Sequence, residues 1–120
     1  MNKIIKQITQ AIQLSEQARK EGLLTLEDEL DKNLIRKRDI FYFGLQYVID
    51  GTDCELIEKI LNNLIKTNKK DFLLKTIQKE AVLSIQRGDN TRILFQILTS
   101  FLKDKAYDKV CKELPDYVMS

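Results

Sequence analysis

The sequence predicts an all-α fold, a compact bundle of about six helices that forms one domain over residues 1–120. Apolar residues recur at helical spacing along nearly the whole chain, and no segment alternates long enough to indicate a strand. The 120 residues are 43% apolar and 32% charged, with one proline and four glycines, which is typical of an ordered helical globule. A third observation is an internal repeat that predicts two helix–Gly–helix corners.

Three helices are expected before this repeat. The first runs from about residue 2 to 20, and Gly22 interrupts the helical pattern after it. A short second helix follows over residues 23–30, and a third covers about residues 34–49. The third helix carries an aromatic stripe that we interpret as core, with a ligand pocket as the alternative. The stripe consists of Phe41, Tyr42, Phe43 and Tyr47.

The repeat aligns residues 51–65, GTDCELIEKILNNLI, with residues 88–102, GDNTRILFQILTSFL. In each copy a glycine is expected to end one helix in the left-handed conformation. An Asp or Asn two residues later is expected to cap the next helix through its side-chain oxygen. Paired apolar residues then give each following helix a wide face that must be buried, so we expect the two corners to pack together. The corner positions are Gly51, Asp53, Gly88 and Asn90.

Two further helices complete the prediction. A polar break at residues 67–71 precedes a helix from Phe72 to about residue 86, which Asp71 or Asn68 can cap. The tail from Lys103 has helical spacing until Pro115 stops it.

Residue content argues against an enzyme. The chain has no histidine, which excludes a Ser-His-Asp triad and a histidine-bound zinc. Cys54 and Cys111 form no CxxC motif and are expected to be buried, inert thiols in a reducing compartment. The carboxylates at residues 27–31 lack the spacing of a calcium loop, and we interpret them as a solvated acidic segment. We therefore expect no catalytic residues, no metal and no cofactor.

Charge and hydropathy narrow the class of partner. The formal net charge is +2, and no long basic run appears, so we expect no nucleic-acid partner. No apolar segment approaches the roughly 18 residues that a membrane span needs. The N-terminal residues lack the apolar core of a signal peptide, which favours a cytoplasmic protein.

Three blocks of sequence resemble the cytoplasmic regions of the flagellar motor stator subunit of the MotA type. Residues 18–27, ARKEGLLTLE, are similar to the A-R-x-E-G-L-L-x-L-E signature of its large cytoplasmic loop. Residues 44–53, GLQYVIDGTD, resemble the later G-L-x-x-V-x-D-G-T-D block of that loop. A third block within residues 83–102 is similar to the segment after the family's last membrane helices. The order of the blocks also matches.

The chain departs from this family in three ways. The resemblance places the loop in residues 1–66 and the later segment in residues 72–102, yet all four membrane helices are missing. Ion conduction is therefore not expected. Cys54 and Thr91 stand where the family has proline, and the tail at residues 103–120 does not resemble it.

The resemblance implies a non-enzymatic accessory protein of the flagellar motor, recruited to it at the inner membrane. It would bind stator subunits as an assembly factor, chaperone or regulator of motility. In the family a basic and an acidic residue contact the rotor's torque ring, and the matching positions are Arg19 and Glu27. The first alternative is therefore a rotor-binding mimic that modulates the stator or competes with it. A generic helical interaction module without a motor role is the second, and two stator segments joined artificially are a third.

Overall fold

A computed structural model describes residues 1–119 and shows an all-helical bundle with no strand among them. It contains seven α-helices joined by short loops and two 3-10 segments, Leu23–Glu29 and Pro115–Tyr117. Ser120, the last residue of the predicted domain and tail, lies outside the described residues. The α-helices are α1 Asn2–Glu21, α2 Lys32–Arg36, α3 Ile40–Ile49, α4 Cys54–Thr67, α5 Phe72–Arg87, α6 Thr91–Thr99 and α7 Asp104–Glu113.

Helix α5 lies at the centre of the bundle, where it packs against α1, α3, α4 and α6. Its position follows from its sequence, because the continuous run from Ala81 to Ile85 is buried. Most surface helices bury a single apolar face, so a helix buried over five consecutive residues needs neighbours on several sides. The largest fully buried side chains include Phe41, Leu45, Leu61, Phe95 and Leu98.

The single helix expected over residues 34–49 is wrong, because the structure divides this segment into α2 and α3. Arg38 between them has a φ of 58°, a left-handed conformation that interrupts a helix. Asp39 then caps α3, since its carboxylate accepts hydrogen bonds from the backbone N–H groups of Phe41 and Tyr42. The short helix expected over residues 23–30 is instead the 3-10 segment Leu23–Glu29. Residues 1–119 hold seven α-helices, against about six helices expected.

The predicted corners have unequal geometries. Gly51 and Gly88 have φ angles of 79° and 71°, in the left-handed region. Asn90 caps α6, because its Oδ1 accepts a hydrogen bond from the backbone of Arg92. Asp53 stands at the equivalent position before α4, but its side chain makes no capping bond. The capping role expected for Asp53 is therefore not present.

The two options for capping α5 are also not realised. Asp71 stands at the position before the helix with a φ of 55° and makes no capping bond. Asn68 instead accepts a hydrogen bond from the backbone of Lys70 and so stabilises the preceding turn.

A polar network links α5 through α1 to α3, from the buried interior to the partly exposed Gln10 and Tyr42. The amide of Gln78 donates to Oε1 of Gln7 over 2.9 Å, and both residues are buried. Gln7 in turn donates to Gln10 over 3.3 Å, and Gln10 donates to the hydroxyl of Tyr42. The buried amides of Gln7 and Gln78 thus satisfy each other, and the bonds tie the three helices together.

No helix within residues 1–119 combines the length and the apolar character that crossing a membrane requires.

Candidate interaction surface

Arg19 lies in the last turn of α1 and is tied to the second corner. Its Nη1 donates hydrogen bonds to the backbone carbonyl of Gly88 over 2.7 Å and to that of Asp89 over 3.3 Å. These carbonyls follow the C-terminus of α5, where the helix dipole favours a cation. Arg19 thus joins the first block of the sequence to the third within the fold.

Asp89 organises the rest of this corner. Its Oδ2 accepts hydrogen bonds from Oγ of Ser84 over 2.8 Å and from Nη2 of Arg87 over 2.8 Å. Partial burial works against the charged carboxylate, but these two hydrogen bonds outweigh it and hold the pKa of Asp89 below its ordinary value of 3.8. The hydrogen bond between Arg87 and Asp89 also raises the pKa of the Arg87 guanidinium. The ion pair between Arg87 and Asp89 and the hydrogen bond from Ser84 therefore stabilise this corner.

Glu27 lies apart from this network, in the exposed part of the 3-10 segment Leu23–Glu29. Neither a hydrogen bond nor an ion pair involves its carboxylate within the described chain, and it does not pair with Arg19. Asp28 and Glu29 beside it are also exposed. The two residues that the resemblance singles out therefore differ, because Arg19 contacts the fold and the Glu27 carboxylate faces solvent.

The potential metal ligands, the two cysteines and the aromatic stripe of α3 do not form a common site in residues 1–119. No cluster of three or more potential metal ligands occurs in residues 1–119. Cys54 and Cys111 are both unpaired thiols and only half-buried, which corrects the expectation of fully buried thiols. The aromatic stripe of α3 packs into or against the core, with Phe41 fully buried and Tyr42, Phe43 and Tyr47 partly so.

The internal repeat presents an exposed apolar residue at the same position in both copies. Leu56 in α4 and Ile93 in α6 occupy equivalent repeat positions, and each is 52% exposed. Both residues are expected on buried faces, because each belongs to an apolar pair of the repeat. In each pair the partner is buried instead, namely Ile57 and Leu94. Both residues of each pair are apolar, so the sequence does not tell which of the two is buried. The orientation of each helix in the folded bundle decides it.

The described residues thus form a helical bundle whose distinctive features lie on its surface, as charged groups and exposed apolar side chains.

Fifty residues of the chain are 46% identical to Motility protein A of Borreliella burgdorferi, and they cover 42% of this chain. The matched segment spans 18% of that relative. It supports the relation to the MotA type only loosely, because so little of the relative is covered. No protein-family profile and no solved structure matches the chain.

Proposed function

We propose that this chain is a non-enzymatic accessory protein of bacterial motility that binds stator subunits and assists or regulates their assembly. The observation that carries the proposal is the 46% identity to Motility protein A over 50 residues. A chain that shares a segment with one subunit of an assembly has surfaces that suit the neighbours of that segment. No catalytic chemistry is assigned to it.

The contacts of Arg19 favour a stator partner over a rotor partner. Charge recognition by a rotor needs both Arg19 and Glu27 to be available, but Arg19 already donates to two backbone carbonyls of the fold. Exposed ion pairs also contribute only about 0.2–1 kcal/mol each, so two surface charges add little affinity. Apolar contacts must therefore supply most of the binding free energy.

Leu56 and Ile93 are suited to supply those contacts. Each is 52% exposed, and each follows a corner of the repeat. Fully burying a leucine or isoleucine side chain contributes about 1.5–3 kcal/mol, and roughly half of this is available to each half-exposed residue, so the two together exceed a single exposed ion pair. We therefore assign the stator contact to these two positions, with Glu27 contributing to orientation.

The proposal is tested by capture of purified stator subunits and, separately, of rotor torque-ring protein on the tagged chain. We expect the stator to be retained, the Leu56→Ser/Ile93→Ser variant to lose it, and the Arg19→Glu and Glu27→Lys variants to keep it. Lys20→Glu and Asp28→Lys serve as matched controls, because both residues are exposed neighbours of the two charges.

Two outcomes contradict the proposal. Capture of rotor protein that is lost on reversal of Arg19 or Glu27 would identify a rotor-binding mimic. Capture of neither component would leave a helical interaction module without a motor role.

A further inference from the structure

One end of the bundle carries a group of partly exposed apolar side chains. Phe72 and Leu73, the first residues of α5, are 57% and 36% exposed. A surface cavity places them beside Met1, Lys3 and Ile4 at the start of α1. Neither side chain belongs to the buried core. We call this cluster of Met1, Phe72 and Leu73 the apolar tip.

Basic side chains surround the apolar tip on two sides. On one side a groove joins Asp71 and Leu74 to Lys37, Arg38 and Lys75. The loop that borders this groove, between Asn68 and Asp71, adds Lys69 and Lys70, both of them exposed. On the other side Met1 shares a shallow cavity with Lys103, Lys105 and Lys109 of the α7 region.

Few carboxylates offset this charge. Asp71 lies at the tip itself, and Asp104 and Asp108 lie next to the α7-region lysines. Asp39 lines the neighbouring groove, where its charge is offset by the more numerous basic side chains of that groove and its loop. The basic groups outnumber these acids, so this end of the molecule is positive although the whole chain has a net charge of only +2.

The opposite end of the bundle holds more acidic groups, although Arg19 and Arg87 also lie there. Helix α4 runs from the corner that holds Asp50, Asp53 and Glu55 to the basic loop, and its 14 residues span about 20 Å. Acidic groups therefore lie well away from the apolar tip. In the field of an anionic surface such a charge distribution turns the tip toward that surface.

We propose that this end of the bundle docks onto an anionic lipid bilayer, with the apolar tip inserted among the headgroups and the surrounding lysines and arginine contacting lipid phosphates. An aromatic and aliphatic tip ringed by basic groups is the chemistry that binds the interface of an anionic membrane. A second copy of the chain fits less well, because two such faces would oppose like charges. This surface is separate from Leu56 and Ile93, so the proposal does not depend on the stator contact.

A single tryptophan provides the direct test, because the chain contains none. Phe72→Trp is placed in the apolar tip and Ile93→Trp, at a site of similar exposure, serves as the matched control. Both are mixed with vesicles of pure phosphatidylcholine or of an equal mixture with phosphatidylserine. We expect a blue shift of emission only for Phe72→Trp and only with phosphatidylserine, reduced by added salt.

Vesicle co-sedimentation separates the two components of the surface. Lys69→Glu/Lys70→Glu should reduce partitioning by about tenfold or more, since each basic group near an anionic surface favours binding substantially. Phe72→Ser/Leu73→Ser should also reduce it, whereas Leu56→Ser/Ile93→Ser and Lys20→Glu/Lys59→Glu should not. All four pairs change exposed residues, and circular dichroism of each verifies the fold.

Three outcomes would overturn the proposal. The first is no emission shift with phosphatidylserine vesicles at low salt. The second is an equal shift with pure phosphatidylcholine, which would remove the role of the basic groups. The third is binding to heparin or DNA as strong as to vesicles and unaffected by Phe72→Ser/Leu73→Ser, which would indicate a general polyanion surface.

Discussion

Three helices approach one another closely at Gly44. A Cβ added at this position in α3 would lie 2.8 Å from Cγ2 of Val82 in α5 and 3.2 Å from Cδ1 of Leu61 in α4. These distances are shorter than ordinary van der Waals contacts, and a valine methyl cannot rotate away without disturbing the buried core. The glycine in the middle of α3 therefore has a packing role that outweighs its low helix propensity.

We expect Gly44→Ala to lower the free energy of unfolding by about 1–3 kcal/mol, because the added methyl overpacks the core. Val82→Ala should also destabilise the protein by leaving a cavity. The double variant Gly44→Ala/Val82→Ala should be more stable than the sum of the two effects predicts. Urea denaturation of all four proteins measures this coupling, and strictly additive effects would contradict the proposed contact.

Asp89 gives the corner a dependence on pH. Its pKa is lower in the folded protein than its ordinary value of 3.8, so its contribution to stability is present above that value. The contribution is lost as the pH falls through the lowered pKa of the folded state. We expect Asp89→Asn to cost about 0.5–1 kcal/mol at pH 7, a modest amount because Arg87 is largely solvated.

The measurement is the difference in unfolding free energy between Asp89→Asn and the parent protein at pH 7 and at pH 3. The difference should shrink at the lower pH. Asp28→Asn is the matched control, since Asp28 is exposed and has no ion pair in residues 1–119. A difference that stays constant between the two pH values would exclude the Arg87 and Ser84 contacts as its cause.

At the level of elements, most helices could be predicted from the spacing of apolar residues. Helices α1, α4, α5, α6 and α7 begin and end close to the predicted positions, because each has one long apolar stripe or a clear breaker such as Gly88. The sequence predicts α2 and α3 as one helix, because the spacing of apolar residues does not reveal the left-handed backbone conformation of Arg38. A sequence pattern also cannot tell that Asp39 caps a helix while Asp53 does not.

The break before α3 depends on the Asp39 cap. Asp39→Ala removes the acceptor of two backbone N–H groups, and we expect a loss of about 1 kcal/mol in unfolding free energy. Asp39→Ser and Asp39→Asn should recover most of it, since both side chains can accept the same bonds. Thermal melts compare the three variants, and equal melting temperatures for Asp39→Ala and the parent would rule out a capping role.

For the whole molecule, the glutamine network is a polar link between helices that otherwise pack through apolar side chains. Gln7→Ala would leave the buried amide of Gln78 without an acceptor, with an expected cost of about 1–3 kcal/mol. Gln7→Met/Gln78→Met replaces both polar partners with apolar groups of similar length, and we expect it to be closer to the parent in stability. Chemical denaturation compares the two, and a more stable Gln7→Ala variant would contradict the network.

The candidate surface illustrates the limit of sequence analysis for the whole molecule. Arg19 and Glu27 were identified through a resemblance, but their different surroundings depend on residues as distant as Gly88. The apolar tip joins the starts of α1 and α5, which are about 70 positions apart, so no local pattern predicts it. Such surfaces form only in the folded bundle, where residues that are distant in the sequence come together.

The central position of α5 has a consequence for how the protein is made. Helices α1, α3 and α4 all pack against α5, yet the ribosome synthesises them before it. Until Arg87 has left the ribosome, the nascent chain lacks the central helix that covers the apolar faces of all three. We expect the domain to fold late in synthesis, in one cooperative step, with ribosome-bound chains that stop before Phe72 remaining sensitive to protease.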